Sequence, residues 1–345
     1  LSDWAQVASS GELSSTQLRE VVAWLLDESV TAEGKASFLG ALNQRGETPG
    51  EISALSEKFL AHAVPFVIPA DLRPVIDVCG TGGDKLGLFN VSTAVMFVSA
   101  GAGARLVKHG NRGITSKSGG ADVLEALGIP VDLDSARLQD VLGEAGAVFL
   151  FAPRFHPAFA AVAPARKLLA ERGQLSVFNM IGPLLNPARP EGQLAGVFSE
   201  ALVALYAGVL PVLGRQRAWV VHGKAGAAGV MDEISTLGPT IVAKVSLTGA
   251  EVVAMTPADL GVPTAQLDEL RGGDAAHNAR LLDELLRGDR HGAMRDIVVV
   301  NAAAAIMVAG LTDDWVEARE RAEVSIDSGA ARAVLQRMQR VAGSS

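Results

Sequence analysis

Residues 79–94 read CGTGGDKLGLFNVSTA and follow the short apolar run PVIDV at 74–78. Val75 to Val78 are expected to form a buried strand, Gly80 to Asp84 the turn after it, and Asn90 to Thr93 the cap of the helix STAVMFVSAGAG. A strand, a glycine-rich turn and a helix N-terminus in that order let a ligand approach the backbone and leave several N–H donors unpaired, which is how phosphate and diphosphate are held. The stretch contains no GxxxxGK[ST], and Gly80-x-Gly82 is followed by Lys85 where a dinucleotide fingerprint has its third glycine, so the two common nucleotide folds are disfavoured. A glycine-rich turn whose Asn and Ser only cap a helix is the alternative.

Outward from this stretch the texture differs on the two sides. Downstream, ARLV (104–107), AVFLF (147–151), LAGVF (194–198) and RAWVV (217–221) alternate with alanine-rich helical stretches, the pattern of β-α units around a mostly parallel sheet. Upstream of Pro74 the chain reads as helical. Ser14 and Gln17 have capping-box spacing ahead of Leu18, Val21, Val22 and Leu25, and Thr48, Pro49 and Glu51 repeat the signal ahead of Ile52, Leu55 and Phe59. The segment HPAFAAVAPARKLLAERG (156–173) reads as one long helix, and NMIGPLLNPARPEG after it as a Pro/Gly-rich connector that returns to the N-terminal helices. The expected fold class is α/β. A small helical domain, residues 1–70 joined by part of 157–190, precedes an α/β domain, 71–345, with a mostly parallel central sheet.

Composition narrows the function. The chain has 345 residues, 49% hydrophobic, and a net charge of -8. With a pI near 5.3 it has no global basic field for nucleic acid or anionic membrane, so an anion site must be local. One cysteine, Cys79, excludes an intrachain disulfide and a thiolate metal cage. The longest apolar run, Ile297 to Leu311, is shorter than the roughly 20 residues a bilayer needs, and Asn301 interrupts it. With no basic and apolar leader pattern at the N-terminus, a cytoplasmic protein is expected.

Three further clusters carry chemistry. In VKHGNRGITSKSGGAD (107–122), Lys108, His109, Arg112 and Lys117 concentrate positive charge, Asn111, Thr115, Ser116 and Ser118 add neutral hydrogen-bonding groups, and glycines keep the backbone accessible. It reads as a loop for a multiply charged small anion, with a solvated surface loop as the alternative. In VMDEIS (230–235) the adjacent carboxylates Asp232 and Glu233 are hard oxygen ligands suited to magnesium beside substrate phosphates, or else an ordinary loop. Arg166, ten residues after His156, suits a substrate carboxylate, or is a helical surface charge. The remaining histidines have no zinc spacing, and there is no nucleophile motif.

The order and number of these motifs are specific. GTGGD with NVSTA, KHGNR with SGGADVLEALG, FAPRFHPA with FNMIGPLLNPA, and MDEIS resemble the anthranilate phosphoribosyltransferase family, from the N-terminal helices to at least Pro239. The resemblance implies a homodimer with its active site in a hinge between the two domains, acting on 5-phosphoribosyl 1-diphosphate and anthranilate with magnesium, two ions per subunit. By the same likeness Gly80, Thr81, Gly82, Gly83, Asp84, Asn90, Val91, Ser92, Thr93, Lys108, Asn111, Thr115, Ser116, Gly119 and Gly120 bind the ribosyl diphosphate. Gly80, Asn111, His156 and Arg166 border anthranilate, and Ser92, Asp232 and Glu233 hold metal. Lys108, Asp232 and Glu233 would supply the transition-state electrostatics. The sequence departs from the family at Leu88, where threonine is usual, and in a connection from Arg166 to Phe178 that is about three residues longer, a tolerated change at helix ends. The rival readings are a pyrimidine nucleoside phosphorylase-like enzyme of the same fold, which needs no acidic metal pair, and a non-catalytic relative that binds nucleic acid, which needs a basic surface.

Overall fold

The computed structural model describes residues 3–83, 86–113 and 117–343. Four helices come first: α1 (Trp4–Ser10), α2 (Ser15–Leu26), α3 (Ala32–Arg45) and α4 (Pro49–Ala61). Both expected capping boxes form, Ser14 with Gln17 and Thr48 with Glu51, and Pro49 occupies the first turn of α4, where its missing N–H costs nothing. Leu18, Val21, Val22 and Leu25 form the buried stripe of α2.

The rest of the chain builds one sheet. Its strands are β1 (Ile76–Gly80), β2 (Leu106–Gly110), β3 (Ala147–Phe151), β4 (Gly192–Gly196), β5 (Arg217–Lys224), β6 (Val230–Met231), β7 (Thr240–Ser246) and β8 (Gly249–Met255). They run in the order β3-β2-β1-β4-β5-β7-β8, parallel through β5, with β6 and β7 antiparallel to β5 and β8 antiparallel to β7. β1 and β2 form further along than the expected strands at 75–78 and 104–107, ending at Gly80 and Gly110, and the β7–β8 hairpin was not anticipated. Helices α5 (Val91–Gly101), α6 (Gly120–Ala126) and α7 (Ser135–Ala145) alternate with the early strands.

One expectation fails. Residues 156–173 are not a single helix: they follow α8 (Ala152–Phe155), run as a 3₁₀ segment over Pro157–Val162, and end in α9 (Ala163–Glu171). Pro157 forces His156 out of helical geometry, to φ −124° and ψ 55°, and Pro164 is accommodated only because it falls in the first turn of α9. After α10 (Ala201–Val209) and the short α11 (Pro257–Leu260), the chain closes with α12 (Ala275–Leu286), α13 (Ala293–Val308), α14 (Trp315–Asp327) and α15 (Ala330–Gly343).

The pleat divides the interior in two. Ile76, Val78, Leu194, Trp219 and Val221 face a core shared with α5, α12, α13 and α15. Ala195, Val197, Ala218 and Val220 face the other core, which contains the N-terminal helices together with Val162, Leu169, Phe178, Ile181 and Leu184. The segment 162–185 therefore packs with the first four helices. Arg189 in the connector, at φ 48°, makes two 3.0 Å bonds to Glu57 of α4. The long apolar run became α13, apolar on nearly every side because it is buried on nearly every side. Among the described residues no helix is long and apolar enough to cross a membrane.

Candidate active site at the carboxyl edge of the sheet

From β1 the chain builds outward through β2 and β3, then crosses to place β4 and β5 on the other flank. The order reverses between β1 and β4, and it is outside the carboxyl ends of the strands at such a switch point that open α/β sheets place their ligand crevice. Gly80 and Gly196 are register partners there. A Cβ on Gly80 would sit 2.8 Å from the Asp232 carboxyl carbon, and one on Gly196 would sit 3.1 Å from the Asp232 Cα, so only glycines let the 230–235 loop lie over these strand ends. The Thr81 N–H donates to the Gly196 carbonyl (3.0 Å), and the Thr81 hydroxyl accepts from the Phe198 N–H (3.1 Å). Gly82 and Gly83 take φ of +72° and +93°, which side chains resist. Of the turn's donors, the Gly82 N–H is already engaged by Asp232 Oδ2 at 2.7 Å.

Across the crevice lies the start of α5. Lys108 on β2 is buried beneath it, its Nζ donating to the Val78 carbonyl (2.5 Å) and to Ser92 Oγ (3.2 Å). Asn90 makes no side-chain cap. Its amide oxygen accepts from Asn278 Nδ2 (2.8 Å) and its amino group donates to the Ser118 carbonyl (3.2 Å). Val91 and Thr93 are buried, and a Cβ on Gly120 would lie 3.3 Å from Thr93 Oγ1 and 3.9 Å from Lys108 Cε. The two glycine-rich stretches thus meet around Lys108. Leu88, at the family's threonine position, bridges to Arg271 and packs on the core. Asp84, Thr115 and Ser116 lie outside the described residues.

The second loop is less positive than its composition suggested. Arg112 pairs with Glu125 and Asp122 and lies 5.3 Å over the Phe151 ring, so its charge is answered within the chain. His109 is neutral: burial, with His156 and Lys108 nearby, takes its imidazole down to about 3. Lys108 and the exposed Lys117 remain. Asp122 accepts from the N–H groups of Gly113 and Gly119, both at 2.8 Å, which folds the loop back on itself. A Cβ at Gly119 would lie 2.7 Å from the Asn111 carbonyl. The Asn111 side chain accepts from the Arg112 N–H at 2.7 Å.

Asp232 and Glu233 are half-buried. Burial pushes the Asp232 carboxyl upward, against the pull of the Gly82 N–H and Lys108. Asn301, the polar residue inside the apolar run, fixes the loop's main chain: its Oδ1 accepts from the Ile234 N–H (2.9 Å) and its amino group donates to the Ile234 carbonyl (3.0 Å). Among the described residues no three His, Cys, Asp or Glu cluster as a metal cage. The donor set of two carboxylates and the Ser92 hydroxyl is all hard oxygen and fits magnesium, which keeps waters and substrate phosphates as its other ligands.

Arg166, on α9, is half-buried with its guanidinium 5.4 Å from the Phe178 ring centre and no carboxylate partner among the described residues; burial lowers its pKa. A row of rings runs from it toward β2: Phe178 against Phe159 (5.6 Å), Phe159 stacked on His156 (5.1 Å), and His156 against His109 (5.2 Å). His156 Nε2 lies 2.9 Å from the Leu185 carbonyl and so carries the proton, and burial holds this imidazole down to about 4. His156 Nδ1 and His109 Nε2 are buried without a hydrogen-bond partner among the described residues.

The sequence reading did not single out the polar seam behind the crevice. Asp77, fully buried on β1, accepts from Asn186 Nδ2 (2.9 Å) and from the His109 N–H (3.2 Å). Gln193 donates to the Pro183 carbonyl (2.6 Å) and accepts from the buried Arg215 Nε (3.0 Å). These bonds tie the connector to β1, β2 and β4. A carboxylate inside PVIDV was the available signal. At the opposite edge of the sheet a cleft of about 600 Å³ holds none of these groups: its Arg217 pairs with Asp313 and its Lys244 lies over Trp219.

Residues 72–332 match the glycosyl transferase family a/b domain, and residues 5–63 match that family's helical bundle domain. The anthranilate phosphoribosyltransferase of Rubrobacter xylanophilus is 44% identical over 335 residues, 97% of this chain and 95% of its own. Among solved structures, the anthranilate phosphoribosyltransferase of Thermus thermophilus superposes with a TM-score of 0.90 at 38% identity, covering 99% of this chain and 100% of that one. The Saccharomyces cerevisiae enzyme in complex with PRPP and Mg gives 0.84 at 29% identity over 96% and 93%. This chain belongs to the anthranilate phosphoribosyltransferase family.

Proposed function

We propose that the chain transfers the 5-phosphoribosyl group of 5-phosphoribosyl 1-diphosphate to the amine of anthranilate, releasing diphosphate, a step of tryptophan biosynthesis. The observation that carries this reading is the meeting of the Gly80–Gly83 turn, the start of α5, Lys108 and Asp232 at the switch point of the sheet. Breaking the bond from ribose C1 to the diphosphate builds negative charge on the leaving group, and Lys108 is a cation the chain itself holds there. The turn and the N-terminus of α5, from Asn90 to Thr93, orient the diphosphate, with Asn111, Gly119 and Gly120 closing the other side. Ser92, Asp232 and Glu233 would hold magnesium, two ions per subunit, which when bound would neutralise diphosphate charge.

The acceptor amine is neutral at pH 7 with its lone pair available, so no strong base is needed, and two neutral imidazoles beside the crevice suit that requirement. Arg166 pairs with the acceptor carboxylate, and Gly80, Asn111 and His156 border the ring, so that positioning supplies the remaining acceleration. The chain works as a homodimer of two-domain subunits, residues 1–70 with part of 157–190 against 71–345. Support for that division is the packing of 162–185 with the first four helices.

Anthranilate fluorescence tests the reaction. It should fall when the protein, the ribosyl diphosphate and magnesium are all present, and stay constant when any one is withheld. Constant fluorescence in the complete mixture, with phosphorolysis of a pyrimidine nucleoside instead, would move the chain to the phosphorylase activity.

A further inference from the structure

We propose that Asn278, on α12 and outside every residue given a substrate role above, is a positioning residue for the ribosyl diphosphate: through Asn90 it sets how the start of α5 sits against the loop that ends at Ser118. The inference rests on the reading that this crevice binds that substrate.

Two amides in series carry the argument. The Gly273 N–H can only donate, so the Asn278 atom facing it at 2.7 Å is Oδ1. The Asn278 amino group is thereby turned to Asn90, where it needs an oxygen and finds Oδ1 at 2.8 Å. That leaves the Asn90 amino group facing the Ser118 carbonyl at 3.2 Å, which can only accept. Main-chain groups of fixed role terminate the series at both ends, so it has one arrangement. Turning either amide would set donor against donor or acceptor against acceptor. Asn278 is 2% exposed, so water does not replace a lost partner.

The surroundings reinforce the same joint. The Phe89 N–H donates to the Leu270 carbonyl (3.1 Å) and the Gly272 N–H to the Gly87 carbonyl (2.9 Å). A Cβ on Gly272 would lie 2.7 Å from Phe89 Cα and 2.8 Å from Asn278 Oδ1, so the two segments are in direct main-chain contact. The Asn90 side chain bonds both to this brace and to the Ser118 side of the crevice. Beside the contact of Lys108 with Ser92, the placement of one phosphate-binding stretch relative to the other therefore passes through its amide. A displacement of about 1 Å between such elements costs on the order of a hundredfold in a reaction that depends on positioning.

The experiment compares wild type, Asn278→Asp and Asn278→Ala by steady-state kinetics with each substrate varied at saturating magnesium, alongside circular dichroism melts. Asn278→Asp keeps the acceptor for Gly273 but sets a carboxylate oxygen against Asn90 Oδ1. Asn278→Ala removes both bonds at a position where alanine suits the helix. The expected result is a KM for the ribosyl diphosphate raised about tenfold in both, with the KM for anthranilate within about twofold of wild type. If the aspartate variant does not fold, the alanine variant alone decides. Both KM values within about twofold of wild type would overturn the proposal, including the case where kcat falls, because a displaced diphosphate site must weaken diphosphate binding and a fall in kcat alone does not separate positioning from lost folded enzyme. Wild-type protein that turns over no anthranilate would sink the substrate reading itself, and the positioning role with it.

Discussion

Lys108 and Arg166, the two cations given substrate roles in the proposed reading, are held in opposite ways. Lys108, proposed for the phosphates, is buried with both a carbonyl and a hydroxyl to donate to, and the turn beside it is already bonded to Asp232. Arg166, proposed for the acceptor carboxylate, has an aromatic face and no anion among the described residues. Arg112 shows what the fold does with an arginine meant for its own chain: Glu125 and Asp122 answer it. A half-buried guanidinium left without that answer retains its pairing capacity for a ligand, whereas Lys108 is set in place before any ligand arrives.

Substitutions at these two residues should therefore separate by substrate. Lys108→Met should have the largest effect, lowering kcat/KM for the ribosyl diphosphate about a thousandfold through loss of a buried charge-assisted contact, and lowering stability by about 1–3 kcal/mol because the Val78 carbonyl loses its donor. Steady-state kinetics and urea unfolding measure both. A loss below about threefold would show that Lys108 only supports the strand.

Arg166→Ala should come second, with kcat/KM for anthranilate down about 30- to 300-fold and the affinity for the ribosyl diphosphate, read by calorimetry, unchanged. No ion pair among the described residues is lost, so stability should fall by no more than the roughly 1 kcal/mol of its contact with Phe178. A drop in both substrates' parameters together would erase the distinction between the two sides.

The smallest effect is in pH. His109 and His156 are held at about 3 and about 4 when folded, below the ordinary 6.5. Well above 6.5 both states are deprotonated and their contribution is flat. As pH falls below 6.5 the unfolded chain takes up protons that the folded chain refuses, and stability is lost until the folded values are reached. Between pH 7 and pH 6 the two together should cost on the order of 1 kcal/mol, seen as a lower urea midpoint. Asp77, whose carboxyl burial pushes upward, works in the other direction at lower pH. The double variant His109→Asn, His156→Asn should flatten the curve between pH 7 and pH 6, and an unaltered slope would assign it to other groups.

Much of this architecture is legible locally. Capping boxes, the glycine turn and the β-α alternation depend on residues within a few positions of one another, so the sequence displays them directly. Two kinds of feature escaped. The break at His156 follows from a rule about residues before proline that helical periodicity alone does not weigh. Pairings across the chain left no local mark at all: nothing about Arg112 in the text of the loop shows that Glu125 will neutralise it, and nothing about Asn278 in GGDAAHNA shows that it will meet Asn90. Asn301 is intermediate. Its interruption of an apolar run was visible, but its partner, Ile234, was not.

The brace between 86–90 and 270–278 also has a meaning in time. Asn90 and Asn278 are 188 residues apart, and Arg271 reaches the Leu86 carbonyl across 185. Closing so long a loop adds little free energy beyond closing a shorter one, because the entropy grows only logarithmically, but such contacts form after the local ones. During synthesis β1 and α5 emerge long before the segment that fixes their junction exists. The crevice is therefore among the last parts of the molecule to be finished, and binding of the ribosyl diphosphate is a readout of completed folding as much as of catalytic competence.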